Sequence, residues 1–135
     1  MTAHAPDGDE VAFSVYVRHG DRTTSRDVFA ADTTGAAVRR LGTGFAASWS
    51  PRGDWIAFVR NEPYLSSRYE LAVVHPDGTG LRVLTRASPS SRPAWTPSGD
   101  ALVFTRYDGT TDSLWRVRLD GSDLVQLTAV GRPPE

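Results

Sequence analysis

The 135-residue sequence predicts an all-β chain assembled from repeated four-stranded antiparallel units. Three observations predict it. One segment recurs at a nearly constant period, each recurrence holds short apolar runs between turn signals, and no stretch shows sustained helical periodicity with caps.

The recurrence is visible residue by residue. Trp49-Ser50-Pro51-Arg52-Gly53-Asp54 returns as Trp95-Thr96-Pro97-Ser98-Gly99-Asp100, and nearer the start as Ala5-Pro6-Asp7-Gly8-Asp9, so the prolines lie 45 and 46 residues apart. A second half-repeat, Leu71 to Thr85, aligns without gaps to Val28 through Gly42 and to Leu114 through Thr128. Its turn glycines, Gly35, Gly78 and Gly121, are spaced 43 residues apart both times.

Each unit reads as four strands, A to D. Strand A ends at Trp49-Ser50 or Trp95-Thr96, and the turn after it has Pro second and Gly fourth, as a type I turn prefers. Strand B is the apolar run Trp55 to Val59 or Ala101 to Thr105, whose unbroken apolarity predicts burial on both faces. Strand C is Tyr69 to Val74 or Ser113 to Leu119. Asp77-Gly78 and Asp120-Gly121 then supply positive φ angles for a tight hairpin turn into strand D, with Thr34-Gly35 a weaker version. Strand D covers Val38 to Leu41, Leu81 to Leu84 and Leu124 to Leu127. Its Arg39, Arg40 and Arg82 suit an outer edge, where charge discourages stray strand pairing. Four-stranded units at a period in the low forties are the signature of propeller blades.

The pattern Trp-Ser-Pro-x-Gly-Asp-x-Ile-Ala-Phe, followed by an apolar strand and Asp-Gly-x-x-x-x-x-Leu-Thr, resembles the TolB-type (WD-like) β-propeller repeat. Trp49 to Phe58 with Asp77 to Thr85 fits nearly position by position, and Trp95 to Phe104 with Asp120 to Thr128 almost as well. The first copy departs from it, with His4 in place of Trp, Thr34 in place of Asp and Gly42 in place of Thr. The resemblance implies one half-propeller domain over 1–135, with blades at 2–42, 46–85 and 92–128. Propellers of this kind include binding platforms, lyases and gating domains of peptidases, and the matched positions are all scaffold.

Three blades do not close a ring, since propellers carry four to eight. Two uncovered blade faces, each of about 500 Å² and largely apolar, match the largest patches that soluble monomers show. Pairing two chains would bury on the order of 2,000 Å², the size of an obligate interface. The expected partner is therefore a second copy, giving a homodimeric six-bladed ring in which blade 3 meets blade 1 of the partner. The rival reading is a fragment of a longer propeller, and Arg132-Pro133, which resembles Arg92-Pro93 at the start of the third blade, keeps it open.

Composition narrows the partners further. The 15 basic residues, all Arg, are balanced by 16 Asp plus Glu, which argues against nucleic acid. With no Cys there is no zinc-knuckle or thiol chemistry. His4, His19 and His75 show no metal-ligand spacing, so no metal and no cofactor is expected. Neither a secretory leader nor an apolar run long enough to span a bilayer is evident, and the expected compartment is the cytoplasm without membrane association.

Candidate ligand contacts lie in the B-to-C segments, 18–26, 60–68 and 106–112, because these loops gather at one end of a propeller. They are Arg18, His19, Asp21, Arg60, Asn61, Tyr64, Arg68, Arg106, Tyr107 and Asp108. Arg60 and Arg106 occupy equivalent positions and suit carboxylate or phosphate groups, although local pairing with Glu62, Glu70, Asp108 or Asp112 is the simpler role. Tyr64 and Tyr107 are contact aromatics or loop packing. His19 with Asp21 is the one local acid-base pair, but no nucleophile stands beside it. Trp49, Trp55, Trp95 and Trp115 read as blade packing.

The function that follows is a non-catalytic binding module presenting its loop face to a protein or an anionic small molecule. The alternatives are a lyase or hydrolase with its site at the channel mouth, and an inactive piece of a larger propeller.

Overall fold

The computed structural model describes residues 2–65, 67–107 and 109–129. Among them the chain is strand and turn, with no helix. The strands are β1 (Thr2–His4), β2 (Glu10–Arg18), β3 (Thr24–Asp32), β4 (Arg39–Trp49), β5 (Ile56–Arg60), β6 (Glu70–Val74), β7 (Arg82–Thr85), β8 (Ala94–Trp95), β9 (Ala101–Tyr107), β10 (Asp112–Arg118) and β11 (Val125–Ala129). All pairings are antiparallel between sequence neighbours, in the orders β1-β2-β3-β4-β5-β6-β7 and β8-β9-β10-β11. Near-neighbour connectivity follows from the short links, all under ten residues, since a parallel crossover needs a dozen or more.

One strand differs from the sequence expectation. The segment ending at Leu41 and the segment ending at Trp49 form a single 11-residue strand, β4. Its first part pairs with β3 through Asp27↔Thr43, and its second part pairs with β5 through Gly44↔Arg60. Gly44 permits this: a Cβ there would stand 2.1 Å from the Val59 carbonyl oxygen and 2.9 Å from the Phe58 ring. Only a residue without a side chain passes that close to a neighbouring backbone.

Burial follows the period of two along β5 and β6. Ile56 and Phe58, with Ala72 and Val74, enter a cluster that includes Ala12, Val28, Ala30, Leu41 and Trp49. Ala57, with Leu71 and Val73, enters a second cluster that includes Leu84, Leu102, Phe104 and Val117. A strand fed into two cores has no polar face, which is why β5 reads as an unbroken apolar run. Strand β9 has a covered face only on one side, and Val103 is accordingly half-buried between buried Leu102 and Phe104.

The Pro-x-Gly turns close as expected, with Gly8, Gly53 and Gly99 N–H groups donating to the Ala5, Ser50 and Thr96 carbonyls at 2.9, 3.0 and 2.9 Å. The Asp-Gly turns differ in detail. Gly78 and Gly121 take positive φ, but Asp77 and Asp120 do not. Their carboxylates instead accept the backbone N–H of Thr79 and Ser122, each at 2.9 Å. The geometry is a turn closed by Gly78 N donating to His75 O, with Gly78 as the left-handed bulge residue, not a two-residue hairpin with both angles positive.

Two side-chain devices repeat between neighbouring units. Trp49 Nε1 donates to Ala3 O at 2.9 Å, and Trp95 Nε1 donates to Ser48 O at 3.0 Å. Arg39 donates to Pro76 O, and Arg82 donates to Leu119 O at 2.8 Å. Arg39 and Arg82, expected as guards of a strand edge, therefore reach the next unit, and Arg40 pairs with Asp27 inside its own.

Candidate functional site

The β2–β3 turn and the β5–β6 loop lie together beside the middle of β4. The turn is set by Arg22 N–H donating to His19 O at 3.0 Å and His19 N–H donating to Thr23 O at 2.8 Å. Asp21 accepts both the backbone N–H and the hydroxyl of Thr23. These hydrogen bonds hold its carboxyl below the ordinary carboxylate value. Thr23 has thus committed its only hydroxyl proton, so Tyr64 is the donor in the 2.8 Å bond between Tyr64 Oη and Thr23 Oγ1. The His19 ring lies flat on Tyr64, with centroids 4.4 Å apart and planes 7° from parallel.

Beneath the stack runs a directed chain of polar groups. Ser25 Oγ donates to Asp27 Oδ1 at 3.0 Å, and Arg40 Nε donates to Asp27 Oδ2 at 2.9 Å. Ser25 has then spent its proton, so His19 Nε2 must carry the hydrogen in its 2.8 Å bond to Ser25 Oγ. Ser25 and Asp27 are 5% and 6% exposed, which removes the serine from reach of a substrate. The arrangement locks the imidazole tautomer and ties the turn to β3 and β4.

Two cavities open at this end. One, of about 160 Å³, is lined by Tyr16, Thr24, Ser25, Arg26, Thr43, Gly44, Phe45, Asn61, Tyr64 and Tyr69. The other, of about 470 Å³, is lined by Arg18, His19, Gly20, Arg22 and Thr24. His19, Asp21, Tyr64, Asn61 and Arg18 are thereby brought into one neighbourhood. Arg60 is not available to it: its guanidinium pairs with Glu70 at 2.6 Å, and Arg86 takes the other Glu70 oxygen at 2.7 Å. Partial burial pushes the Glu70 carboxyl up, but the bonds from Arg86 and Arg60 outweigh it and leave it lowered. Arg106 lies near the Trp115 ring on the third ladder, at 5.8 Å, and Tyr107 is exposed there. Arg68 is exposed on the β5–β6 segment, and Asp108 lies outside the described residues. Among the described residues no group of three or more His, Asp or Glu could hold a metal.

Sequence reading missed Thr23, Ser25, Arg26, Asp27 and Thr43. A signal was present: Thr24-Ser25-Arg26-Asp27 is a polar start to an otherwise apolar strand, and its period of two sends Ser25 and Asp27 inward and Arg26 outward.

No family profile matches the chain. Over 62 residues, 46% of this chain, it is 42% identical to the Tol-Pal system protein TolB of Gluconobacter oxydans, and the match spans 13% of that relative. Among solved structures, it superposes on TolB from Acinetobacter baumannii with a TM-score of 0.76 and 22% identity, covering 96% of this chain and 31% of that one. It superposes on the putative TolB from Agrobacterium tumefaciens with a TM-score of 0.70 and 22% identity, covering 96% of this chain and 50% of that one. The chain therefore spans half or less of each of these relatives. Among the described residues no helix is long and apolar enough to cross a membrane. With antiparallel ladders in sequence order, Pro-x-Gly turns at a constant period and these likenesses, the chain is built of TolB-type β-propeller repeats.

Proposed function

We propose that this chain is a non-catalytic binding module, a half-propeller of three four-stranded blades whose loop end receives a protein or an anionic ligand. The observation that carries the reading is the rim shared by two blades. His19, Thr23 and Tyr64 come from segments 41 residues apart yet stack and hydrogen-bond, which pre-forms a surface with two cavities beside it. The same geometry disfavours Ser25 as a hydrolytic nucleophile, because it is buried and donates to Asp27.

The test is amide shift mapping of the isotope-labelled chain against a panel of acidic and neutral peptides. Shifts clustered at 18–26, 43–45 and 60–69 support the reading. Shifts confined to the opposite turns, at 33–36, 51–54 and 76–80, or none for any peptide, overturn it.

The same proposal includes closure of a six-bladed ring by a second copy. Apolar side chains at both ends of the blade order support it: Val15 is 38% exposed beside the half-buried Phe13–Phe29 stack, and Leu124, Val125 and Leu127 are 40–43% exposed. Light scattering should give twice the 14.7 kDa chain mass, and a stable species at 14.7 kDa overturns closure by pairs.

A further inference from the structure

The arginines of the chain differ in whether a carboxylate meets them. Arg39, Arg40, Arg60, Arg86 and Arg118 each meet a carboxylate. Among the described residues Arg18, Arg22 and Arg26 meet none, although all three belong to one hairpin end. The two carboxylates in that stretch are engaged elsewhere, Asp21 with Thr23 and Asp27 with Ser25 and Arg40.

Register places two of these cations, Arg18 and Arg26, on one face. Tyr16 pairs with Arg26 and Arg18 pairs with Thr24, so all four side chains leave the same face of the β2–β3 ladder, opposite buried Ser25 and Asp27. Arg18 and Arg26 are diagonal neighbours, a relation that spaces residues by roughly 7–8 Å, within reach of long side chains. Arg26 is held in place: its guanidinium lies 3.9 Å above the Phe45 ring centroid and 5.8 Å from that of Tyr16. Arg22 sits at φ +70°, a conformation that Gly or Asn adopts more readily, in the turn that lines the larger cavity. Thr24 borders both cavities, with Arg26 on one side and Arg18 and Arg22 on the other.

We infer that this hairpin end is a receptor for a ligand carrying two carboxylates, one gripped by Arg26 in the smaller cavity and one by Arg18 and Arg22 in the larger. Planar guanidinium forks match carboxylates bidentately, and Tyr69, Asn61 and Thr24 supply neutral polar groups around the bridge. The two carboxylates come from a free small diacid or from paired acidic side chains of a peptide. The inference rests on the loop-end reading above and sharpens it to three residues and one chemical class.

The experiment titrates the full chain with acetate, succinate, glutarate and the peptide acetyl-Glu-Gly-Glu-amide, reading calorimetry and amide shifts at fixed ionic strength. The diacids or the peptide should bind at least tenfold more tightly than acetate, because the second group binds intramolecularly. Stronger binding of the diacids names a free acid as the source, and stronger binding of the peptide names a protein. Arg26→Gln, and separately Arg18→Gln with Arg22→Gln, should each lower that affinity tenfold or more. Arg52→Gln, at the far cavity lined by Arg82 and Asp120, should leave it unchanged. Equal affinity for acetate and the diacids, or affinity unmoved by the hairpin variants with an intact amide spectrum, overturns the inference. If neutral or acidic peptides still shift 60–69 in that case, the loop-end reading survives. Absence of loop-end shifts with every probe overturns both.

Discussion

Replacing Gly44 by Ala tests whether the shared strand depends on one close approach. The added methyl would meet the Val59 carbonyl oxygen at 2.1 Å, more than 1 Å inside an ordinary contact, and the Phe58 ring at 2.9 Å. Neither neighbour yields easily, because Val59 belongs to the β5 ladder and Phe58 is fully buried. Strand β4 must therefore move away at Gly44↔Arg60 and Phe45↔Val59, where it passes from one sheet to the next. Two weakened ladder bonds at about 1 kcal/mol each, with about 1–3 kcal/mol for overpacking around Phe58, give a loss of about 3–5 kcal/mol. With a urea slope of about 2 kcal/mol per M, the midpoint should fall by about 1.5–2.5 M. Two other glycines grade the effect. A methyl at Gly42 would meet only the Phe58 ring, at 3.1 Å, and should cost about 1–2 kcal/mol. A methyl at Gly20 meets nothing within 4 Å and should be neutral or slightly stabilising. The order Gly44, Gly42, Gly20 is the result to look for in urea titrations followed by circular dichroism. A Gly44→Ala midpoint within about 0.5 M of wild type would mean that the passage relaxes freely and that close approach does not select glycine there.

Trp95→Phe keeps an aromatic ring but removes the donor to Ser48 O and the fused five-membered ring, and should lower stability by about 2–3 kcal/mol, or about 6–12 °C in melting temperature. Trp49→Phe should cost the same through Ala3 O, and because the two junctions are separate the losses should add. Glu70 should govern part of the acid limb of stability. Its folded value lies below the ordinary 4.5, so the unfolded chain binds the proton first; its contribution is present above about pH 4.5 and lost as pH falls through the depressed value. Glu70→Gln should therefore flatten the fall in urea midpoint between neutral and acid pH, and an unchanged pH profile would refute the double pairing with Arg60 and Arg86.

Legibility in the sequence followed the range of the interactions. The Pro-x-Gly turns, the antiparallel order and the apolar strands depend on residues within one unit, and each was readable from local chemistry. Trp49 and Trp95 were readable as packing because the repeat itself marks them. The Gly42-Thr43-Gly44 passage was not, since glycine normally punctuates strands and here its missing side chain lets one strand continue. The candidate rim was half legible: His19, Asp21 and Tyr64 stood out as polar loop residues. What joins them could not be read, because the Tyr64 to Thr23 bond spans 41 positions and its direction depends on where Thr23 sends its proton. Arg60 shows the converse, since only the fold places Glu70 and Arg86 beside it.

The repeated Trp and Arg devices bear on what covers the two ends. Each interior junction carries a tryptophan to the preceding unit and an arginine to the following one. At the outer ends the matching positions hold His4, in register with Trp49, and Val125, 43 residues after Arg82. Closure between the third unit of one copy and the first of another would thus proceed without either device. Installing both makes the idea testable. In register with the interior junctions, His4→Trp would aim its indole N–H at Ala94 O of the partner subunit, and Val125→Arg would aim its guanidinium at Thr33 O of the partner subunit. One neutral and one charged hydrogen bond contribute about 2–4 kcal/mol per junction. A twofold ring has two such junctions, so dimer dissociation should weaken by about a thousandfold or more, readable as a shift in the concentration at which light scattering falls to the chain mass. If the double variant stays at chain mass at every concentration, or dissociates no less readily than wild type while keeping its fold, the third unit does not meet the first unit of another copy.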